Sequence, residues 1–290
     1  MPSYYGIIFA VVALFGWGFG GFYIQRAARA IGTAKALFFI GATGFIFLLP
    51  FVWRDLVTLE RQNFLFLALL GTVVVVATLF EFQALKEGKI VIIEPLIGIE
   101  LPITVGLSVA IAGESLSAIQ ILLIALVFIG IVLAATVHHT HLHYHKRLFE
   151  KGVLLAAAGA VGMGLTNFLI GIGSQKVSPL MAVWFSYSLL AVVCTAYLIS
   201  RGEFRSLVSD LKSYPVPIIG QSVLDNLAWV AFAIATTLVP ISIAITIAES
   251  YIALSAFLGI FVNHEKLKFH QAFGVIVAVG SVIALSILVV

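Results

Sequence analysis

Ten apolar runs follow one another along this chain, each close to the roughly 20 residues a helix needs to cross a bilayer's hydrocarbon core. They cover about 5–24, 35–53, 64–85, 90–112, 118–137, 152–173, 179–199, 216–238, 239–262 and 271–290. With no water to satisfy backbone N–H and C=O groups, helices are the expected form of every run. Composition agrees: 62% of the residues are hydrophobic and 10% charged, against about 25% charged in ordinary soluble domains. The narrowest break lies at 237–240, where only a tight turn around Pro240 separates the eighth run from the ninth.

Other classes fall away on the same grounds. One cysteine, Cys194, excludes a disulfide framework and a multi-cysteine metal site. Net charge is +3 and the basic residues sit in short connections, so nucleic acid is not an expected partner. The first run has neither a basic region before it nor a small-residue cleavage site after it, and reads as a mature helix.

Two runs break the apolar pattern at their middle, one with Glu100 and one with Glu249. A carboxylate at mid-bilayer costs roughly 2.5–3.5 kcal/mol on insertion scales, so it faces a cavity or a partner. Laying Gly220 on Gly71 also lays Glu249 on Glu100. A two-residue insertion then lays Glu265 on Glu114 and Gln271 on Gln120, and Gly152 falls on Gly6. Each half therefore holds five spans. An odd number means that the second copy enters from the opposite side, the inverted-repeat plan of many secondary transporters. The expected organisation is a first half over 1–137, a His-rich linker over 138–151 and a second half over 152–290.

Loop charge predicts orientation. Connections 1–2, 3–4, 5–6, 7–8 and 9–10 carry thirteen Lys and Arg and the other side three, which places the first set inside and both termini outside.

Each half ends in an apolar helix, a Gly-Glu or His-Glu pair, and a helix beginning near a Gln: VGLSVAIAGESLSAIQILLIALVFIGIVL and LSAFLGIFVNHEKLKFHQAFGVIVAVGSVIAL. With Gly16-Trp17-Gly18 in the first run, the chain resembles the EamA family of the drug/metabolite transporter (DMT) superfamily. The resemblance implies an all-α integral membrane protein of ten transmembrane helices around a central cavity lined by helices 1, 3, 4, 6, 8 and 9. It implies alternating-access transport of small metabolites, often amino acids or their relatives and frequently as export, across the plasma (inner) membrane of a prokaryote. This chain departs at His264, where Gly is commonest, and at Met163, where Trp is common. Cytoplasmic termini, the family expectation, oppose the loop charges.

A carboxyl withdrawn from water can trade a proton for a cation, which makes Glu100 and Glu249 the expected substrate-binding and proton-coupling pair. Pro95 and Pro102 flank Glu100 and free local carbonyls, as in interrupted transporter helices. Asp225 and Asn226 lie near the centre of the eighth run, with Trp229 one turn on. Asn167 and Trp17 sit at matching depth in the sixth and first runs, and Tyr251 follows Glu249. Aromatic faces beside carboxylates suit an organic cation. Trp184 and Tyr187 are second-line candidates. Gly16, Gly18, Gly20 and Gly21 read as close-approach positions between helices. Glu81 and Glu94 read as shallow, interface-facing acids, and Glu114 and Glu265 as caps of the helices that follow them.

No Lys or Arg falls at mid-membrane, which argues for a cationic, zwitterionic or neutral substrate over a phosphorylated one. No cofactor is called for, and no HExxH, His within a span or activated nucleophile points to an enzyme. The expected function is a secondary transporter of amine-bearing or amino-acid-like solutes, monomeric or homodimeric, with protons as coupling ion. The runner-up is a divalent-cation transporter using the carboxylates and the His138–His145 loop. The third is a membrane scaffold or sensor whose acids only fix helix packing.

Overall fold

The computed structural model describes residues 3–87, 96–135, 151–254 and 269–289, and every regular element there is helical. The first half holds α1 (Ser3–Ile31), α2 (Thr33–Val57), α3 (Arg61–Glu87), α4 (Glu100–Ala110) and α5 (Ala118–Ala135). The second holds α6 (Lys151–Lys176), α7 (Pro179–Ser200), α8 (Pro215–Ala235), α9 (Ile241–Glu249) and α10 (Phe269–Val289). A short helix, Leu207–Ser213, precedes α8. Glu94, Pro95, the His138–His145 loop, His264 and Glu265 lie outside the described residues.

Seven of these helices are long and apolar enough to cross a membrane: α1, α2, α3, α6, α7, α8 and α10. α4, α5 and α9 are shorter apolar helices at the remaining three runs. Polarity is distributed as lipid demands. Phe51 is 71% exposed and Phe269 87%, whereas Glu100 is 3% and Glu249 2% exposed. In water such an apolar exterior would aggregate; in a bilayer it is solvated.

Helices pair across the halves. α1 packs on α8, α3 on α6, α2 on α7, and α5 on α10, while α4 lies against α6 and α9 against α1. Small residues make these approaches possible. A methyl on Gly16 would meet the Ala228 Cβ at 2.7 Å, and one on Gly162 the Ala77 Cβ at 2.8 Å. Gly130 and Gly274 meet backbone to backbone between α5 and α10. Van der Waals contact between closely set backbones is a main source of cohesion between helices in lipid, where hydrophobic burial offers little. The four α1 glycines are not equivalent, because Gly21 has nothing within 4 Å.

Two polar contacts tie connections together at opposite ends of the bundle. At one end, Lys35 Nζ lies 2.9 Å from Asp210 Oδ2 and 3.8 Å from Glu203 Oε2. At the other, Glu114 accepts from Ile241 N at 2.5 Å, Ser242 N at 3.0 Å and Ser242 Oγ at 2.6 Å. Glu114 thus caps α9 in the other half, and not the helix that follows it as expected from sequence. The reason is local. α5 already has its own cap: Ser117 N donates to Gln120 Oε1 at 2.9 Å and Gln120 N to Ser117 Oγ at 3.3 Å. The orphan N–H groups of α9, freed by the Pro240 turn, have no such neighbour in their own chain segment.

Candidate functional site

Glu100 opens α4, and the chain before it turns through Gly98 and Ile99 with tight bonds from Ile99 N to Leu96 O and Leu101 N to Gly98 O. Glu249 closes α9, and the chain after it turns at Ser250 with Ser250 N bonded to Ile247 O. Both carboxylates therefore stand where a regular helix is interrupted. Pro102 sits in the first turn of α4, where its missing N–H is no loss.

Glu100 is held from α6. Asn167 Nδ2 donates to its Oε2 at 3.5 Å, and Thr104 Oγ1 bridges from the Glu100 carbonyl, 2.9 Å away, to that of Gly164, 3.0 Å away. Glu249 and Glu81 both lie close enough to Glu100 for their charges to act on it. Glu81 acts likewise on Glu249 and is acted on by Asp225. The four acids thus form one electrostatic group drawn from α3, α4, α8 and α9. Lys35 pairs with Asp210 and Glu203 away from this group.

Asp225 is tied down by Tyr187, whose O–H donates to Oδ2 at 2.6 Å. Asn226 points elsewhere: its Nδ2 donates to the Ile40 carbonyl at 3.1 Å and the Ser222 carbonyl at 2.8 Å, bracing α8 on α2. Trp184 Nε1 donates to the Phe45 carbonyl at 3.1 Å in the same manner. Trp17, Trp229 and Tyr251 do assemble. The Trp17 ring lies 5.1 Å from Trp229 and 6.2 Å from Tyr251, both edge-on, and Phe232 closes the group at 5.6 Å from Trp17.

Unmet hydrogen-bonding capacity occurs at the centre and also beyond it, at Gln25 Nε2, Thr166 Oγ1, Gln221 Oε1 and Asn226 Oδ1. At the centre, Glu100 Oε1, Glu249 Oε2 and Asn167 Oδ1 are buried without a hydrogen-bond partner among the described residues. An unpaired buried polar atom costs roughly 1–3 kcal/mol, and more when charged, so three together mark a place prepared for donors.

Sequence reasoning set aside two members of this arrangement. Glu81 was expected in a last turn facing the interface, yet α3 runs on to Glu87 and places Glu81 among the acids. Tyr187 ranked behind its neighbours, and only the packing of α7 on α8 brings it to Asp225. Helical spacing along α7 does not single out Tyr187 as the partner of Asp225; a lone Glu within an apolar run was the available signal for Glu81.

The sequence profile of the EamA-like transporter family matches residues 4–136 and again 150–287. A comparison with curated proteins finds no match. Among solved structures, one crystal structure is 15% identical to this chain with a TM-score of 0.78, over 98% of this chain and 96% of the other. At that identity the likeness is one of fold.

Proposed function

The chain belongs to the EamA-like transporter family, and from that premise we propose an alternating-access transporter that binds an amine-bearing or amino-acid-like metabolite and exports it in exchange for protons. Membership makes it a multi-pass membrane transporter of the drug/metabolite type; the substrate class, direction and coupling are our reading. The observation that carries the reading is the set of buried acceptors without donors at Glu100, Glu249 and Asn167. An ammonium group supplies donors and positive charge together, and the Trp17–Trp229–Tyr251 rings offer faces to its organic part.

The cross-half pairing of α1 with α8 and α3 with α6, together with the double family match, supports two inverted five-helix repeats over 1–137 and 152–290. Ten spans result if α4, α5 and α9 complete theirs. Rocking of one half against the other would expose the acids to each side in turn, and a proton could replace the leaving cation on Glu100 or Glu249. Asn226 contributes on this reading by holding α8 on α2 beside Asp225. The expected setting is the plasma membrane of a prokaryote.

A thermal-shift screen of purified protein tests the reading, with amines, amino acids, neutral metabolites and divalent metals at two pH values. A ligand that binds only the folded state raises apparent stability with its concentration. An amine hit that weakens at low pH and vanishes in Glu249→Gln is the expected result. Stabilisation by metals alone would replace this reading with divalent-cation transport.

A further inference from the structure

We infer that Glu81 is a cation-binding residue of the same site, and that it carries the substrate's ammonium group between the Glu100–Glu249 pair and the Asp225–Tyr187 pair. The inference rests on the amine reading above and assigns it a path.

Helix α6 provides the ruler. A methyl on Gly159 would lie 3.0 Å from the Glu81 backbone N and 3.2 Å from its Cα, so α3 touches α6 at Glu81. Five residues further along α6, a methyl on Gly164 would lie 3.1 Å from the Glu100 carbonyl, and Thr104 donates to the Gly164 carbonyl. Five residues of helix rise by about 7.5 Å. Glu81 and Glu100 therefore flank one helix little more than a turn apart.

Electrostatics make Glu81 the link. Among the described residues it is the acid whose charge acts with each of the other three: Glu100, Glu249 and Asp225. Asp225 and the Glu100–Glu249 pair are otherwise joined only through it. Glu81 is half-buried by its surface area, while Glu100, Asp225 and Glu249 are buried. Beyond it along α3, Gln83 Nε2 donates to Glu87 Oε1, and Thr33 Oγ1 of α2 donates to Gln83 Oε1 at 3.2 Å. An acid that served only to reach the interface would pair there. Glu81 instead lies within electrostatic reach of three other acids, an arrangement whose mutual repulsion a cation relieves. The unpartnered oxygens of Glu100 and Glu249 then receive the N–H donors that the cation brings.

The test uses 2-phenylethylammonium chloride as the probe and reads its apparent Kd from the thermal shift of the purified full chain. Glu81→Gln should weaken binding about tenfold, the loss of roughly one good charge-assisted contact. Glu81→Asp should retain part of the affinity, and Glu60→Gln, at the exposed start of α3, should match the native chain. Should Glu81→Gln fail to fold, the native chain serves: the probe should slow carbodiimide modification of Glu81, mapped by peptide mass spectrometry. Native-like probe affinity in Glu81→Gln beside lost affinity in Glu249→Gln would overturn the role of Glu81 and leave the amine reading standing. Unchanged carbodiimide labelling would do the same. A native chain that ignores the probe would overturn both.

Discussion

The Tyr187 hydroxyl donates to Asp225 Oδ2 at 2.6 Å, joining α7 to α8 beneath the acidic centre. That bond sets Asp225 apart from Glu100 and Glu249, each of which keeps one buried oxygen unpartnered. Gly44 of α2 lies against both the Tyr187 ring and Asn226 Oδ1, so three helices converge on this contact. Asp225 is oriented by Tyr187, whereas Glu100 accepts from Asn167 and keeps its other oxygen unpartnered among the described residues.

Tyr187→Phe should therefore separate orientation from charge. Removing the phenolic donor leaves a buried carboxylate oxygen unpaired, at a cost of roughly 1–3 kcal/mol. The expected outcome is a lower melting temperature in detergent and reduced amine transport in vesicles. Asp225→Asn keeps an acceptor for Tyr187 and should lose less stability while losing transport. If Tyr187→Phe matches the native chain in both assays, the bond has no part in holding the site.

Two glycines on α1 should answer differently to the same change. An added Cβ at Gly16 would stand 2.7 Å from Ala228 Cβ and 3.1 Å from the Leu224 carbonyl, both firm neighbours. Gly16→Ala should push α1 from α8 and cost about 1–3 kcal/mol, as overpacking does. Gly21→Ala meets open space and should be neutral, or stabilising by up to about 1 kcal/mol through helix propensity. Equal melting temperatures for the two variants would contradict the close approach of α1 and α8.

Glu114 is expected to matter more than a connecting-loop acid would. Glu114→Ala removes three hydrogen bonds from the start of α9 and should cost about 1–2 kcal/mol, the usual range for a lost helix cap. Ser242→Ala removes one of the three and should cost less. Glu114→Gln should fall between. Chemical or thermal denaturation of the three variants side by side checks the order, and a Ser242→Ala loss larger than that of Glu114→Ala would refute it.

Expecting Glu100 and Glu249 to be buried was possible because carboxylates are expensive in lipid, and cost of that kind is local. The same holds for the turn at Pro240, which the structure places between α8 and α9 as expected. The aromatic trio of Trp17, Trp229 and Tyr251 was also within reach, since each ring was singled out by its nearness in sequence to a polar residue. Asn226 shows the limit. Its position beside Asp225 in sequence turns it about 100° around α8, and there it meets α2 and not the acids.

The sequence alone determined that this chain is a membrane protein of helices and that Glu100 and Glu249 are buried. Those properties follow from length, hydropathy and the price of charge in hydrocarbon, all of which act residue by residue. Only tertiary structure decided which acids meet. Glu81 and Tyr187 join the site because α3 packs on α6 and α7 on α8, and Glu114 crosses to the other half because α9 begins with unpaired N–H groups. Such pairings depend on how apolar helices close-pack through small residues, and a helix's own periodicity carries no label for the neighbour it will find.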